Sequence, residues 1–233
     1  MTLTAPRPDR KEFRAALIVD DHPLFCDALG MTLQAVTGID RIAQADRLAG
    51  ALSALGDGAR PDIIVLDLNL PDVNGLEGLM QLRQTAPDIP VLVVSSVDDP
   101  RVVRAAVIAG AAGYVPKHSQ RDLFRQALAA IARGDVFVPE SSAEALKAPP
   151  SQQDEAIRRL SQLTRQQANI LEQICAGKMN KQIAYDLSIA ETTVKAHVTA
   201  IMRKLGVCSR TQAVLLAREA QATAALPEGG AAR

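Results

Sequence analysis

The sequence predicts an α/β domain built on a parallel sheet, followed by a small domain made of helices alone. Three observations carry that prediction. Short apolar runs alternate strictly with helical patterns over residues 13–138, as stacked βα units do. A stretch rich in Pro, Ser and Ala, PESSAEALKAPPSQQDEA, then interrupts the pattern at 139–156. Beyond it the apolar residues recur with helical spacing only. The expected organisation is a disordered lead-in at 1–12, an α/β domain at 13–138, a linker at 139–158, a helical domain at 159–222 and a disordered tail at 223–233.

Charge divides the chain at the same place. Residues 13–138 hold 11 Lys/Arg against 15 Asp/Glu, a net of −4, whereas residues 156–219 hold 10 against 4, a net of +6. An acidic first half and a basic second half point to different partners, with the basic half suited to nucleic acid. The polar opening MTLTAPRPDRKEF lacks the apolar core of a signal peptide. No apolar run approaches the roughly 18 residues of a membrane span. Cys26, Cys175 and Cys208 share no metal-type spacing and read as reduced thiols, with Cys26 and Cys175 as buried filler in helices. A cytoplasmic protein with no membrane partner is expected.

In the first half, strands are expected at 16–20, 39–45, 63–67, 91–95 and 113–116, with helices beginning near Pro23, Arg47, Leu76, Arg101 and Gln120. Five βα units in this length match a flavodoxin-like (βα)5 domain. The first strand ends in Asp20 and Asp21, followed by His22, which could be a metal ligand but whose expected role is structural or solvent-facing. The third, IIVLD, is apolar up to Asp67, which suits a strand buried on both faces, and Pro71 and Gly75 mark the loop after it. The fourth, VLVVS, ends in Ser95, preferred over Ser96 because Val91–Val94 is the run it closes. The fifth carries Tyr114 and leads to Lys117.

In a parallel sheet the carboxyl ends of these strands converge on the edge where ligands bind. Three carboxylates gathered there repel one another unless positive charge compensates. A divalent cation supplies it, and hard oxygen ligands with room for water suit Mg²⁺. A hydroxyl and an ammonium complete a site able to hold a phosphoryl group around Asp67, which is aspartyl-phosphate chemistry in outline.

These residues carry a resemblance. DD after the first strand, D-x-N-x-P-x-x-x-G after the third, Ser after the fourth and Y-x-x-K in the fifth resemble a response-regulator receiver domain over the whole first half. The resemblance implies that Asp67 is the phosphoacceptor and that Asp20 and Asp21 hold the metal with Asp67, Asn69 lending its backbone carbonyl. It implies that Ser95 and Lys117 engage the phosphoryl group and that Tyr114 swings inward when Ser95 is drawn toward it. Residues 97–99 would relay the shift to the following helix. One departure is Pro116 before Lys117 with His118 after it, where many receivers have proline directly after the lysine.

In the second half, Thr164 with Gln167 forms a capping box for a helix at 165–175, closed by Gly177. Helices at about 180–187 and 192–204 are joined by the turn SIAE, and Ser209 with Gln212 caps a fourth at 210–220. The second and third have helix-turn-helix proportions. Lys195, Thr199, Arg203 and Lys204 can face a major groove while Val194, Val198 and Ile201 pack.

The string LTRQQANIL…GKMNKQIAYDLSIAETTVKAHVTAIMRKLGVCSRTQAV resembles a LuxR-type helix-turn-helix, and with the receiver it resembles the NarL/FixJ family. That likeness implies DNA contacts from Asn180, Lys181, Thr193, Lys195, Ala196, Thr199, Lys204 and Arg210, and a dimer surface around Val214 and Leu215. His197 is expected to pack or cap. Gln167, Ala190 and Ala200 replace an acidic residue, a serine cap and an asparagine common at those places. A sensor histidine kinase, promoter DNA, a second copy on activation and RNA polymerase are the implied partners. Two rivals are a phosphorylation-independent pseudo-receiver and an Asp-nucleophile phosphatase. The latter needs an acid two residues beyond its nucleophile, where this chain has Asn69.

Overall fold

The computed structural model describes residues 12–224. The expected lead-in and tail fall outside them, except Glu12 and the last two residues of the final helix. The chain divides into two compact units, 1–147 and 148–233.

The first unit runs β1 (Ala15–Val19), α1 (Pro23–Thr37), β2 (Arg41–Ala45), α2 (Leu48–Gly56), β3 (Ile63–Leu66), β4 (Asn69–Leu70), β5 (Val73–Asn74), α3 (Leu76–Thr85), β6 (Val91–Ser95), α4 (Pro100–Ile108), β7 (Gly113–Pro116), α5 (Arg121–Ala132) and α6 (Glu140–Lys147). Five strands pair in parallel in the order β2-β1-β3-β6-β7. This is the doubly wound order expected of a flavodoxin-like domain. Every residue of β3, β6 and β7 is buried, and only Ala15 of β1 is not, which is why these segments read as unbroken apolar runs. β2 lies at one sheet edge and is largely exposed. It begins at Arg41 instead of residue 39, and Ile39 joins the core cluster beside it.

Beyond β3 the chain makes a small antiparallel pair, β4 and β5. The Asp72 carboxylate, in the turn between them, accepts the backbone N–H groups of Leu48 and Ala49, each at 2.9 Å. It thereby caps the start of α2, whose own N-cap residue, Arg47, offers no side-chain cap. The loop that carries Asp67 is thus tied to its neighbouring helix.

The segment expected as a linker is a correction. Residues 140–147 form α6 and belong to the first unit, and residues 152–161 form a helix of the second. α6 lies against α4: Ser142 is buried, and the Arg104 guanidinium donates to the Ala145 carbonyl. Just before it, Tyr114 N–H donates to Phe137 O at 2.9 Å and Phe137 N–H to Ala112 O at 3.1 Å, which covers the exposed flank of edge strand β7.

The second unit holds α7 (Gln152–Ser161), α8 (Arg165–Cys175), α9 (Asn180–Asp186), α10 (Glu191–Leu205) and α11 (Arg210–Ala224). The last four are the expected helices, and α7 is an addition. Both expected caps form. Gln167 N–H meets Thr164 Oγ1 at 3.3 Å while Gln167 Oε1 accepts Thr164 N–H at 3.1 Å, and Gln212 N–H meets Ser209 Oγ at 3.2 Å. The core collects Leu163, Ile170, Leu171, Ile174, Ile183, Val194, Ile201 and Leu205.

Candidate functional site

The sheet delivers its chemistry at the carboxyl ends of β1, β3 and β7. Asp20 follows β1 and Asp67 follows β3, each fixed by its own backbone: Asp20 N–H donates to Ala45 O at 3.0 Å and Asp67 N–H to Val19 O at 2.9 Å. Both carboxylates are buried. Lys117, one residue past β7, reaches back so that its Nζ lies 2.7 Å from Asp20 Oδ2 and 2.7 Å from Asp67 Oδ2. Its own N–H donates to Ser95 O at 2.8 Å, which holds the loop in place with Pro116 before the lysine instead of after it.

Burial pushes the Asp67 carboxyl above its usual range, against the pull of the Lys117 ammonium. Burial also opposes the Lys117 charge, but its hydrogen bonds to Asp20 and Asp67 prevail and hold it above the ordinary lysine value. The ammonium lies over the Phe25 ring, 4.7 Å from its centroid.

His22 is exposed, as expected, and its ring also meets the acidic pair. Its Nδ1 lies 3.1 Å from Asp20 Oδ1 and 2.8 Å from Asp21 Oδ1, and its N–H donates to Asp20 Oδ1 at 3.0 Å. Atoms of Asp20, Asp21, His22 and Asp67 that could ligate a cation all lie within 4.8 Å of one another. Three carboxylates face one ammonium, so the cluster carries surplus negative charge. Asp67 Oδ1, buried, accepts no hydrogen bond from the protein. An orphaned carboxylate oxygen among donors that are mostly carboxylates fits a hard divalent cation.

Ser95 and Tyr114 meet each other, and beside the backbone bond from Lys117 to Ser95 O their side chains engage the Val97 backbone. Ser95 is wholly buried, and its Oγ accepts Val97 N–H at 3.4 Å. Tyr114 is fully buried too, in the inward position, with its hydroxyl donating to Val97 O at 2.7 Å. Burial pushes its phenol up to about 12, partly countered by a hydrogen bond with Ser95. Ser96 is exposed. Asn69 lies exposed at the start of β4, two residues beyond Asp67.

In the second unit, α10 buries Val194, Ile201 and Leu205 and exposes Thr193, Lys195, Ala196 and Thr199. Lys195 pairs with Glu191 at 2.9 Å, and Thr199 Oγ1 donates to Lys195 O at 3.0 Å. Lys181 is exposed on α9 and Asn180 is half-buried at its first turn. Two expected DNA contacts are otherwise engaged. Lys204 Nζ donates to Gln162 O at 2.9 Å and Gln167 Oε1 at 2.8 Å, and Arg210 donates to Ile174 O at 3.4 Å and to Lys178 O. Val214 packs partly against the core, and Leu215 is exposed. His197 is half-buried, and Ala190 gives α10 no side-chain cap.

A doubly wound sheet with this acidic edge, joined to a helix-turn-helix, defines a response regulator that binds DNA. Comparison with known proteins agrees. The response regulator receiver domain family matches residues 16–129, and the luxR family of bacterial regulatory proteins matches residues 161–217. The glycerol metabolism activator of Pseudomonas putida is 43% identical over 216 residues, covering 90% of this chain and 97% of that protein. The DNA-binding transcriptional activator DevR/DosR of Mycobacterium tuberculosis is 35% identical over 202 residues, covering 87% and 93%. RcsB from Salmonella enterica serovar Typhimurium, solved on promoter P1flhDC with phosphomimetic BeF3⁻, shares the fold at a TM-score of 0.53 and 19% identity, over 90% of this chain and 99% of that one. The chain belongs to the NarL/FixJ-type response regulators, two-component regulators of transcription.

Proposed function

We propose that Asp67 accepts a phosphoryl group from a sensor histidine kinase in the cytoplasm, and that this acylphosphate controls promoter binding by the second unit. The observation that carries the reading is Asp67 itself: one buried oxygen held by Lys117 at 2.7 Å, the other without a protein partner. A carboxylate oxygen would attack phosphorus as the bond to the donor's nitrogen breaks. Asp20, Asp21 and Asp67, with the Asn69 carbonyl, would hold Mg²⁺, which would neutralise charge on the transferring group. No acid stands two residues beyond Asp67 to hydrolyse the product as a phosphatase would.

Lys117 would turn from the carboxylates toward the phosphoryl oxygens, and Ser95 would follow. Ser95 is already linked to Val97 and Tyr114, so its movement would reach the loop before α4. The second unit would bind double-stranded promoter DNA as a homodimer, with exposed Leu215 on the dimer surface and Lys181, Thr193, Lys195, Ala196 and Thr199 toward the groove. RNA polymerase would be engaged there. No helix among the described residues is long and apolar enough to cross a membrane.

The test is sedimentation and DNA affinity for the wild type and Asp67→Ala, each with and without acetyl phosphate and Mg²⁺. Dimerisation and tighter binding in the treated wild type alone support the switch. Equal behaviour of all four samples would make the first unit a pseudo-receiver.

A further inference from the structure

All but the last residue of helix α7 lie before the stretch that matches the luxR family, residues 161–217, yet the helix is built into the second unit. Ala156 and Ile157 are buried, and the helix packs on α11 and α10. Its start is fixed by a reciprocal cap: Ser151 N–H meets Asp154 Oδ2 at 2.7 Å and Asp154 N–H meets Ser151 Oγ at 3.1 Å.

The far end of α7 grips the end of the recognition helix. Arg159 Nη1 donates to the Leu205 carbonyl at 2.9 Å, one of the groups that α10 leaves without an intrahelical partner. Arg159 Nε is held at 3.0 Å by Glu155 Oε1 on its own helix, so the guanidinium is aimed before it meets α10. A second tie runs beside it, from Lys204 Nζ to the carbonyl of Gln162, the residue that closes α7. Gly206 makes the approach feasible. It turns left-handed at φ +65, and a Cβ there would stand 2.7 Å from Arg159 Nη1.

We propose that Arg159 is a positioning residue for sequence-specific DNA recognition, setting the angle of α10 from its C-terminal end. The exposed face of α10 at Ala196 lies nine residues from Leu205, a lever of about 14 Å at the helical rise. A tilt of about 10° at the clamp moves that face by about 2 Å, enough to spoil hydrogen-bond geometry at base edges. Contacts to phosphates, made by long flexible side chains, tolerate the same movement.

The test uses the full chain as wild type, Arg159→Ala, Arg159→Lys and Glu155→Ala, all with acetyl phosphate and Mg²⁺ present. Binding is read by anisotropy on a duplex that the wild type selects from a random pool, and on an unrelated duplex, across a salt series. Comparing variants under one condition keeps the outcome independent of the phosphorylation reading. Arg159→Ala should weaken binding to the selected duplex about ten-fold, as one mismatched base pair does. Its affinity for the unrelated duplex and its salt slope should stay unchanged. Arg159→Lys should recover part of the loss, since one donor still reaches Leu205. If Arg159→Ala does not fold, Glu155→Ala decides, with a smaller loss on the selected duplex alone. Equal loss on both duplexes with a slope lower by about one would make Arg159 a phosphate contact and overturn the proposal. Unchanged selectivity in every folded variant would reduce α7 to packing and overturn it equally.

Discussion

Lys117 Nζ lies 2.7 Å from a carboxylate oxygen of Asp20 and 2.7 Å from one of Asp67, so a single ammonium serves two buried acids. Removing it strands Asp67 and leaves Asp20 only its contacts with His22. Lys117→Ala should cost about 3–5 kcal/mol of stability without metal, the range for breaking a buried pair by deleting one partner. Mg²⁺ should then raise the melting temperature of the variant more than that of the wild type, because the ion takes over the missing charge. The check is thermal unfolding of both proteins with EDTA and with Mg²⁺. Equal increments would mean that the ion does not sit with these carboxylates.

Asp67→Asn should separate function from stability. Asparagine removes one of two buried negative charges, and Lys117 keeps its 2.7 Å partner in Asp20. The melting temperature should hold or rise, by the equivalent of about 1 kcal/mol. Phosphoryl incorporation from acetyl phosphate should vanish. Intact-mass measurement and thermal unfolding of the same sample read both, and a variant that still gains a phosphoryl group places the acceptor elsewhere.

How much of this was legible in the sequence differs between the two halves of the site. Asp20, Asp67, Ser95 and Lys117 end apolar runs, and strand ends in a parallel sheet have only one place to go. Phe25 was not legible as a site member, because the rotation of α1 that turns it toward Lys117 is set by its packing on α5 and the sheet. The helices α6 and α7 hid in polar composition for a similar reason. Among the described residues α6 buries Ser142 and α7 buries Asp154, Ala156 and Ile157, too few for apolar periodicity to stand out. Val214 and Leu215 are adjacent in sequence and equally apolar, and only the packing of α11 sends one inward and the other out.

Tyr114 should make the receiver sensitive to strong base. Its phenol titrates at about 12 in the folded protein because burial disfavours the phenolate, against 10.0 for the free side chain. A raised folded-state value means that its stabilising effect is full below pH about 10 and is lost as pH climbs toward 12. That difference corresponds to about 3 kcal/mol. Tyr114→Phe should lose about 1 kcal/mol near neutrality with the hydrogen bond to Val97 O. It should then decline less than the wild type between pH 10 and 12. Denaturant unfolding of both proteins across that range measures the difference, and parallel curves would deny Tyr114 any part in it.

Two lysines of the second unit look alike in sequence and should behave oppositely. Lys181 is exposed on α9 with no hydrogen bond or ion pair among the described residues, so its charge is available to a phosphate. Lys204 spends its ammonium on Gln162 O and Gln167 Oε1, tying the last turn of α10 to the cap of α8, where Gln167 also accepts Thr164 N–H. Lys181→Ala should therefore weaken binding to any duplex and lower the salt slope by about one, with the melting temperature unchanged. Lys204→Ala should lower the melting temperature by the equivalent of about 1 kcal/mol, because it leaves the buried Gln167 amide oxygen one donor short, and should leave the slope alone. Salt-dependent anisotropy beside thermal unfolding distinguishes the two. A reduced slope for Lys204→Ala would mean that the side chain abandons its internal partners for DNA, and the charge that closes α10 in the free protein would then be part of the groove contact itself.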